Sequence, residues 1–175
     1  MRNKTDKENK SIPFPKEELI FLLLKIAILA GMVAAVFTFV FGILHCSGNA
    51  MNPAVRDGDL VFYYRLEQEY RASDVVVVEK DGEFQILRII ATAGDEVDLT
   101  EEGLNINGYL QQEPEIYKET LPYVEGISFP VNVGENEYFV LGDNRTSAKD
   151  SRMFGCIRKD EIKGSVMTIL RRRNF

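Results

Sequence analysis

An apolar run from Leu19 to Leu44, in which Lys25 is the only charged residue, constrains the fold more than any other feature. As a helix, residues 26–44 would be about 29 Å long, close to the roughly 30 Å hydrocarbon thickness of a bilayer. Lys25 lies near the start of the run, where its ammonium group can reach the lipid headgroups at little cost. The run therefore predicts one helix that spans a membrane, with residues 18–45 as the anchor.

Two other interpretations of this run fit less well. A cleaved signal peptide has an apolar region of roughly 7–15 residues closed by a small-x-small pattern, and this run is longer and lacks that pattern. A buried helix of a globular domain usually has a polar face, and none is present here. Basic residues precede the run and the neutral residues 45–48 follow it. This asymmetry predicts a single-pass cell-membrane protein with a cytoplasmic tail at residues 1–17 and an extracellular domain at residues 46–175.

After the anchor, short stretches rich in β-branched and aromatic residues alternate with turns of Gly, Asp and Asn. The predicted strands are Asp59–Tyr64, Asp74–Glu79, Phe84–Ala91, Glu96–Leu99, Leu104–Ile106, Glu137–Leu141 and Ser165–Leu170. Residues 80–83 have the sequence of a hairpin turn, and the polar, proline-containing residues 109–130 predict an irregular segment. The pattern indicates a mainly β domain with long hairpins.

Composition excludes several classes of function. A net charge of −6 and a pI near 5.0 argue against nucleic acid as a partner. His45 is the only histidine, so a Ser-His-Asp triad beyond the membrane boundary and a histidine-based metal site are both excluded. We expect no metal and no cofactor. Cys46 and Cys156 are too few for a disulfide scaffold; a single bridge between them stays open, although Cys46 lies at the mouth of the anchor.

The loop at residues 142–152 begins with Gly-Asp-Asn, which is typical of a turn. It carries two acids and two arginines that can form bidentate ion pairs and so fix the backbone. These residues are Asp143, Arg145, Asp150 and Arg152. The other interpretation is a solvated surface turn.

A second stretch, Ser47–Pro53, favours the first interpretation. With it, the chain resembles the type I signal peptidases, the membrane-anchored serine proteases that remove signal peptides after export. The resemblance covers nearly the whole chain, with sequence boxes in the family's order behind a membrane span. The boxes are Ala50–Pro53, Gly58–Val61, Ser73–Val77, Arg88–Asp95, Ile106–Gly108, the 142–152 loop and Ile162–Gly164. It implies an all-β, signal-peptidase-type domain outside the membrane.

The same resemblance places apolar residues at three positions where the family has working polar groups. Ala50 stands where the nucleophilic serine is expected, and Leu87 stands where the general-base lysine is expected. Ala148 stands where a second serine orients that lysine. An alanine offers no nucleophile and a leucine offers no base, so we expect no catalytic residue of the family's kind.

Substitutes for the missing pair are poorly placed in the sequence. Ser47 and Cys46 precede Ala50 by three and four residues, which in extended chain displaces the attacking atom by roughly 10 Å. Ser147 is one residue early, which turns its side chain to the other side. Lys80 lies in a predicted hairpin turn, where it stays charged. A working signal peptidase with atypical catalytic residues nevertheless remains the alternative function.

The resemblance leaves the binding half of the site in place. In the family, the amide at the position of Ala50 helps to hold the oxyanion, and a side-chain change does not remove it. We expect Ala50, Met51, Pro53 and Leu87 to line an apolar substrate groove along which a peptide adds as a strand. Core packing is an equally good interpretation of Met51. The 142–152 loop would stabilise this groove.

The family includes non-catalytic members in Gram-positive bacteria that assist pilus assembly, and the short chain with one anchor resembles that branch. We therefore expect a catalytically inactive, membrane-anchored protein that binds an exported polypeptide, such as a pilin precursor. A sortase is a further candidate partner, and the helix would contact membrane lipid. A regulator that captures the substrates of an active paralogue remains a third interpretation.

Overall fold

The computed structural model describes residues 16–114, 116 and 118–171, so most of the predicted tail at residues 1–17 lies outside the described residues. The chain divides into two compact units, residues 1–37 and 38–175. Helix α1, Lys16–Phe39, has no buried residue and has a mean hydropathy of 2.7 over its most apolar window. By length and composition, it is the one helix of the described chain that is able to cross a membrane.

The prediction of a helix through Leu44 is wrong for its last residues. Helix α1 ends at Phe39, and Phe41–His45 form strand β1, which pairs antiparallel with strand β2, Leu60–Tyr64. The ring of Tyr63 occupies the space where a Cβ atom of residue 42 would lie, so a larger residue at Gly42 would require this ring to move. An apolar run alone does not distinguish a helix from a buried strand, and here the pairing with β2 makes residues 41–45 a strand.

The described part of the second unit forms two antiparallel sheets. Its remaining elements are β3 Val75–Lys80, β4 Glu83–Ala91, β5 Glu96–Thr100, β6 Gly103–Ile106, β7 Tyr109–Leu110, β8 Val131–Asn132, β9 Glu137–Leu141, α2 Ser151–Phe154, β10 Ile157–Arg158, a 3-10 turn at Lys159–Glu161 and β11 Ile162–Leu170. The larger sheet has the order β1-β2-β11-β3-β4-β9-β10, and the smaller has the order β7-β6-β5-β8. The prediction of a mainly β fold is confirmed.

All seven predicted strands are present, with ends shifted by no more than three residues. The predicted hairpin is also present: Lys80 pairs with Glu83, and Asp81 and Gly82 have φ angles of 53° and 81°. Positive φ at both central residues matches the right-handed twist of the strands on either side. Strands β7, β8 and β10 have two residues each and leave no periodic signal in the sequence.

The hairpin β3–β4 lies at the centre of the larger sheet and is buried on both faces. On one face, Val76 and Leu87 are paired and belong to an apolar cluster with Ile89 and Val140. On the other face, Val77 and Ile86 are paired and belong to a second cluster, which contains Met51, Val61 and Tyr63. Because side chains alternate along a strand, the neighbours Ile86 and Leu87 lie on opposite faces of the sheet.

Candidate functional site

The segment between β1 and β2 forms a compact turn that presents Ala50. Its two ends are joined by a hydrogen bond from the Cys46 amide to the Asp59 carbonyl at 2.8 Å and by one from the Gly58 amide to the Cys46 carbonyl at 2.9 Å. The Met51 side chain, 2% exposed, packs in the second apolar cluster. Burial of Met51 fixes the half-buried Ala50 beside it.

The 142–152 loop lies directly against Ala50. The Asn144 amide donates to the Ala50 carbonyl at 2.9 Å, and the Asn144 side chain donates to the Asn49 carbonyl at 3.1 Å. A Cβ atom added at Gly142 would lie 2.5 Å from the Ala50 oxygen and would overlap the Cβ of Ala148. The Ala50 carbonyl and the Ala148 side chain therefore both lie against Gly142, and no larger residue fits at that position.

A cavity of about 230 Å³ opens beside Ala50, and we call it the Ala50 cavity. Its walls come from the end of β1 and the following turn, from the start of β4, and from the 142–152 loop. It is lined by Leu44, His45, Cys46, Ser47, Gly48, Asn49, Ala50, Met51, Glu83, Phe84, Gln85, Ile86, Ser147 and Lys149. Of the four predicted groove residues, Ala50 and Met51 line this cavity.

The other two predicted groove residues lie elsewhere, which corrects the sequence-based groove. Leu87 is fully buried in the first apolar cluster, on the face of β4 away from Met51, and Ile86 lines the cavity in its place. Pro53 is exposed and does not line the cavity. The alternation of side chains along β4 explains the error at Leu87, because neighbouring residues of a strand lie on opposite faces of the sheet.

Behind the cavity, six charged side chains form a largely buried ion-pair network, consisting of Arg88, Glu113, Asp143, Arg145, Asp150 and Arg152. Arg88 binds Asp143 through two hydrogen bonds of 2.8 and 2.6 Å, which join β4 to the loop. Arg145, 2% exposed, binds Glu113 at 3.0 and 2.7 Å and also donates to Thr120. Its Nε donates to the Gly142 carbonyl at 3.0 Å, so this guanidinium also fixes the loop backbone.

Asp150 and Arg152 complete the network with exposures of 0% and 1%. The Arg152 guanidinium binds Asp150 at 2.9 and 2.8 Å, and Asp150 also accepts a hydrogen bond from the Gly142 amide at 3.1 Å. The Arg152 guanidinium also packs over the Tyr123 ring, 4.3 Å from its centroid, and donates to the Tyr123 hydroxyl at 3.0 Å. The same hydroxyl donates to the Ala148 carbonyl at 2.7 Å. These contacts fit the ion-pair interpretation of the loop and not a solvated turn.

Sequence reasoning missed several residues of this site. Arg88 was noticed only within a sequence box, although an arginine in an otherwise apolar strand is a signal for a buried acid partner. Glu113, Thr120 and Tyr123 lie in the segment predicted to be irregular, and nothing in its polar sequence distinguishes them from solvated residues. Lys149 was also missed as part of the cavity wall.

The Ala50 cavity lacks an activated nucleophile. Within the described residues, no hydrogen bond joins a hydroxyl or thiol of this cavity to a lysine or histidine side chain. The Cys46 thiol lies 4.0 Å from the Gly48 carbonyl, and burial, together with the nearby Asp59 and Asp57, raises its pKa. A protonated thiol is a poor nucleophile. Cys46 and Cys156 are both free, so they do not form the bridge that the sequence left open.

Comparisons with known proteins give a consistent result. A family model described as signal peptidase, peptidase S26, matches residues 19–170. A signal peptidase I of Bacillus licheniformis is 30% identical over 174 residues, which cover 92% of this chain and 89% of that protein. Signal peptidase IB of Staphylococcus aureus (strain N315) is 29% identical over 170 residues, covering 86% of this chain and 88% of that protein.

Among solved structures, a signal peptidase I of Enterococcus faecalis V583 is 26% identical and has a TM-score of 0.47, covering 58% of this chain and 98% of that chain. The family match begins inside α1 and extends into β11, so it includes both the apolar helix and the β domain. Helix and family together indicate a membrane-anchored protein. The chain belongs to the signal peptidase family, peptidase S26.

Proposed function

We propose that this protein is a non-catalytic member of the signal peptidase family that binds exported polypeptides without cleaving them. The observation that carries the proposal is that Ala50 and Ala148 both lie against Gly142, and neither side chain has a hydroxyl. Leu87, at the expected position of the base, packs in the core. Two groups that act as one unit are both missing, so a family-type acyl transfer has neither a nucleophile nor a base.

Binding is supported by an open strand edge at the cavity. Strand β4 pairs with β3 over residues 83–88, but with β9 only at Arg88, Ile89 and Ala91. Within the described residues, Glu83–Leu87 therefore have no strand partner on the side away from β3. The cavity is lined by the start of this segment and by the end of β1. A polypeptide can add there as a strand, with main-chain hydrogen bonds giving affinity and the apolar walls giving selectivity.

The proposal also includes the orientation of the protein in the cell membrane and the polypeptide that it binds. The N-terminus lies in the cytoplasm and the β domain outside the cell membrane, where exported chains emerge. The resemblance to non-catalytic Gram-positive members makes a pilin precursor the first polypeptide to test, and a sortase the first enzyme to receive it. In this role the protein holds a subunit briefly before it is assembled.

The test combines a cleavage assay with cross-linking on the full-length protein in detergent. We expect a signal-peptide-bearing precursor to stay intact after long incubation, yet to cross-link to the protein. Phe84, which is 50% exposed and lines the cavity, is the residue to change. The Phe84→Glu variant should lose cross-linking by about tenfold, because a charge replaces an apolar wall.

Tyr109→Glu is the matched control, because Tyr109 is 75% exposed and lies outside the cavity. Equal loss of cross-linking in both variants would move the binding surface away from the cavity. Measurable cleavage by the unmodified protein would replace this proposal with the alternative, a working signal peptidase with atypical catalytic residues.

A further inference from the structure

The turn between β6 and β7 contains the single Asn-Gly step of the sequence, Asn107-Gly108. Ile106 and Tyr109 are paired across this turn, and Asn107 and Gly108 have φ angles of 55° and 79°. Positive φ at both central residues is typical of a two-residue hairpin turn, and Asn-Gly is the pair that such a turn favours. Both residues are exposed, so solvent water reaches them.

An Asn-Gly step is also chemically labile. The glycine nitrogen attacks the side-chain carbonyl carbon of the asparagine, which closes a cyclic imide; the nitrogen gives up its proton and the side-chain amino group leaves as ammonia. Water then opens the imide to aspartate or isoaspartate, so the net reaction consumes water and turns an amide into a carboxylate. Glycine has no Cβ atom to shield its nitrogen, and within the described chain the Gly108 amide donates no hydrogen bond. The attacking nitrogen is therefore accessible.

The side-chain amide of Asn107, by contrast, is held at both of its polar atoms. Its Nδ2 donates to the Asp95 carboxylate at 2.8 Å, and its Oδ1 accepts from the Glu96 amide at 2.9 Å. The main chain is held as well, since the Asn107 amide donates to the Glu96 carbonyl at 2.8 Å. Ring closure requires the side-chain amide to rotate toward the Gly108 nitrogen, and this rotation breaks the contacts with Asp95 and Glu96.

Asp95 is itself fixed by a second set of hydrogen bonds. Its other carboxylate oxygen accepts from the Thr92 amide at 2.9 Å and from the Thr92 hydroxyl at 3.3 Å. Burial alone would raise the pKa of Asp95, but the hydrogen bonds from Thr92 and Asn107 hold this pKa below 3.8. The carboxylate is therefore ionised at neutral and alkaline pH, where it accepts a charge-assisted hydrogen bond from Asn107.

We propose that Asn107 is a site of spontaneous deamidation, and that Asp95 controls the rate by holding the side-chain amide in place. In the aspartate product, a carboxylate replaces the donor that lies 2.8 Å from Asp95, so two like charges face each other. The isoaspartate product instead adds a carbon atom to the main chain of a two-residue turn. Both products lose the hydrogen bond that joins this turn to Asp95. The inference goes beyond the proposed function and does not depend on it.

The experiment follows deamidation of the full-length protein in detergent during long incubation at mildly alkaline pH. Proteolytic peptides are analysed by mass spectrometry, and isoaspartate is detected with an isoaspartyl methyltransferase. We expect Asp95→Ala to deamidate at Asn107 about tenfold faster than the unmodified protein, the scale of losing a hydrogen bond to a charged group. Asp95→Asn keeps an acceptor oxygen, so its rate should stay much closer to that of the unmodified protein.

Asp98→Ala is the matched control, because Asp98 lies on β5 and is not a hydrogen-bond partner of Asn107 within the described residues; it should leave the rate unchanged. Circular dichroism checks that each variant is folded. A synthetic peptide of residues 104–111 gives a second test that needs no variant, and it should deamidate at least about tenfold faster than the folded protein. Equal rates in the folded Asp95→Ala and Asp98→Ala variants, or in the peptide and the unmodified protein, would overturn the proposal.

Discussion

The site around Ala50 and the ion-pair network behind it are adjacent regions that differ sharply in chemistry. Beside the cavity, the side chains of Ala50 and Ala148 are only methyl groups. In the network, Arg145, Asp150 and Arg152 are as buried as any core residue, yet each makes several hydrogen bonds. The network binds the backbone of Gly142 from both its amide and its carbonyl, so it determines where the loop lies.

In this structure the shape of the site is set by the network, because Asp150 and Arg145 bind the backbone of Gly142. On the proposed function, the loop keeps its place with no nucleophile or base in the site, because a nucleophile and a base act on a substrate and not on the loop backbone. The network residues bind one another and the loop backbone, so they determine the shape of the cavity. Selection for binding alone would conserve the network residues and would not conserve a nucleophile or a base.

The largest expected effect breaks the network itself. Asp150→Ala would leave the Arg152 guanidinium buried without its carboxylate partner, and we expect a loss of about 3–5 kcal/mol in the free energy of unfolding. The measurement is the midpoint of chemical unfolding of the full-length protein in detergent. Arg158 and Asp160 form a pair at the same spacing with side-chain exposures of 66% and 72%, so Asp160→Ala is the matched control and should leave the midpoint unchanged. Similar effects at both positions would show that burial does not set the strength of these pairs.

The next prediction concerns the two positions where a base and a nucleophile were expected, Leu87 and Ala50. Leu87→Lys places an ammonium among Val76, Ile89 and Val140, where no acid is present in the cluster, and should cost on the order of 3 kcal/mol. Ala50→Ser should cost little, because residue 50 is half-buried and lines an open cavity. Neither variant, nor the two together, should cleave a signal peptide, as judged by product detection in mass spectrometry. A stable and active double variant would show that Leu87 is not committed to the core.

The smallest expected effect concerns a partly exposed pair, Lys80 and Glu161, which lie 2.7 Å apart with side-chain exposures of 23% and 16%. Burial alone would raise the pKa of Glu161, but hydrogen bonds from the Arg158 amide and from Lys80 hold this pKa below 4.5. A carboxyl with a lowered folded-state pKa stabilises the fold above its unfolded-state pKa, and this contribution disappears as pH falls through the folded-state pKa.

Glu161→Gln should therefore lower the free energy of unfolding by about 0.5–1 kcal/mol at pH 7. The difference from the unmodified protein should shrink below pH 4.5 and vanish once Glu161 is protonated in both states. Thermal unfolding at pH 7 and at pH values below 4.5 checks this sign. A difference that grows toward acid pH would contradict the role of the lowered pKa.

The sequence predicted the strands well, because period-two alternation and turn residues are local signals. The predictions were wrong where contacts between residues far apart in the sequence determine the structure. Strand β1 lies within an apolar run that also fits a helix, and only its pairing with β2 identifies it as a strand. Leu87 was placed in the groove by its position in a sequence box, whereas the face on which a strand residue lies depends on register. Glu113 and Tyr123 were not predicted for the site, because their partners lie 22 to 32 residues away along the chain.

The sequence distances within the network also bear on how this fold is reached. Arg88 and Asp143 are 55 residues apart, Arg145 and Glu113 are 32 apart, and the Arg152 contact to Leu121 spans 31. Such contacts form only after several long loops have closed, so we expect them to form late on the folding pathway. Interactions absent from the transition state slow unfolding and leave the folding rate nearly unchanged. We therefore expect the arginines of the network to set the lifetime of the folded cavity, which determines how long a membrane-anchored chain keeps its fold between rounds of synthesis.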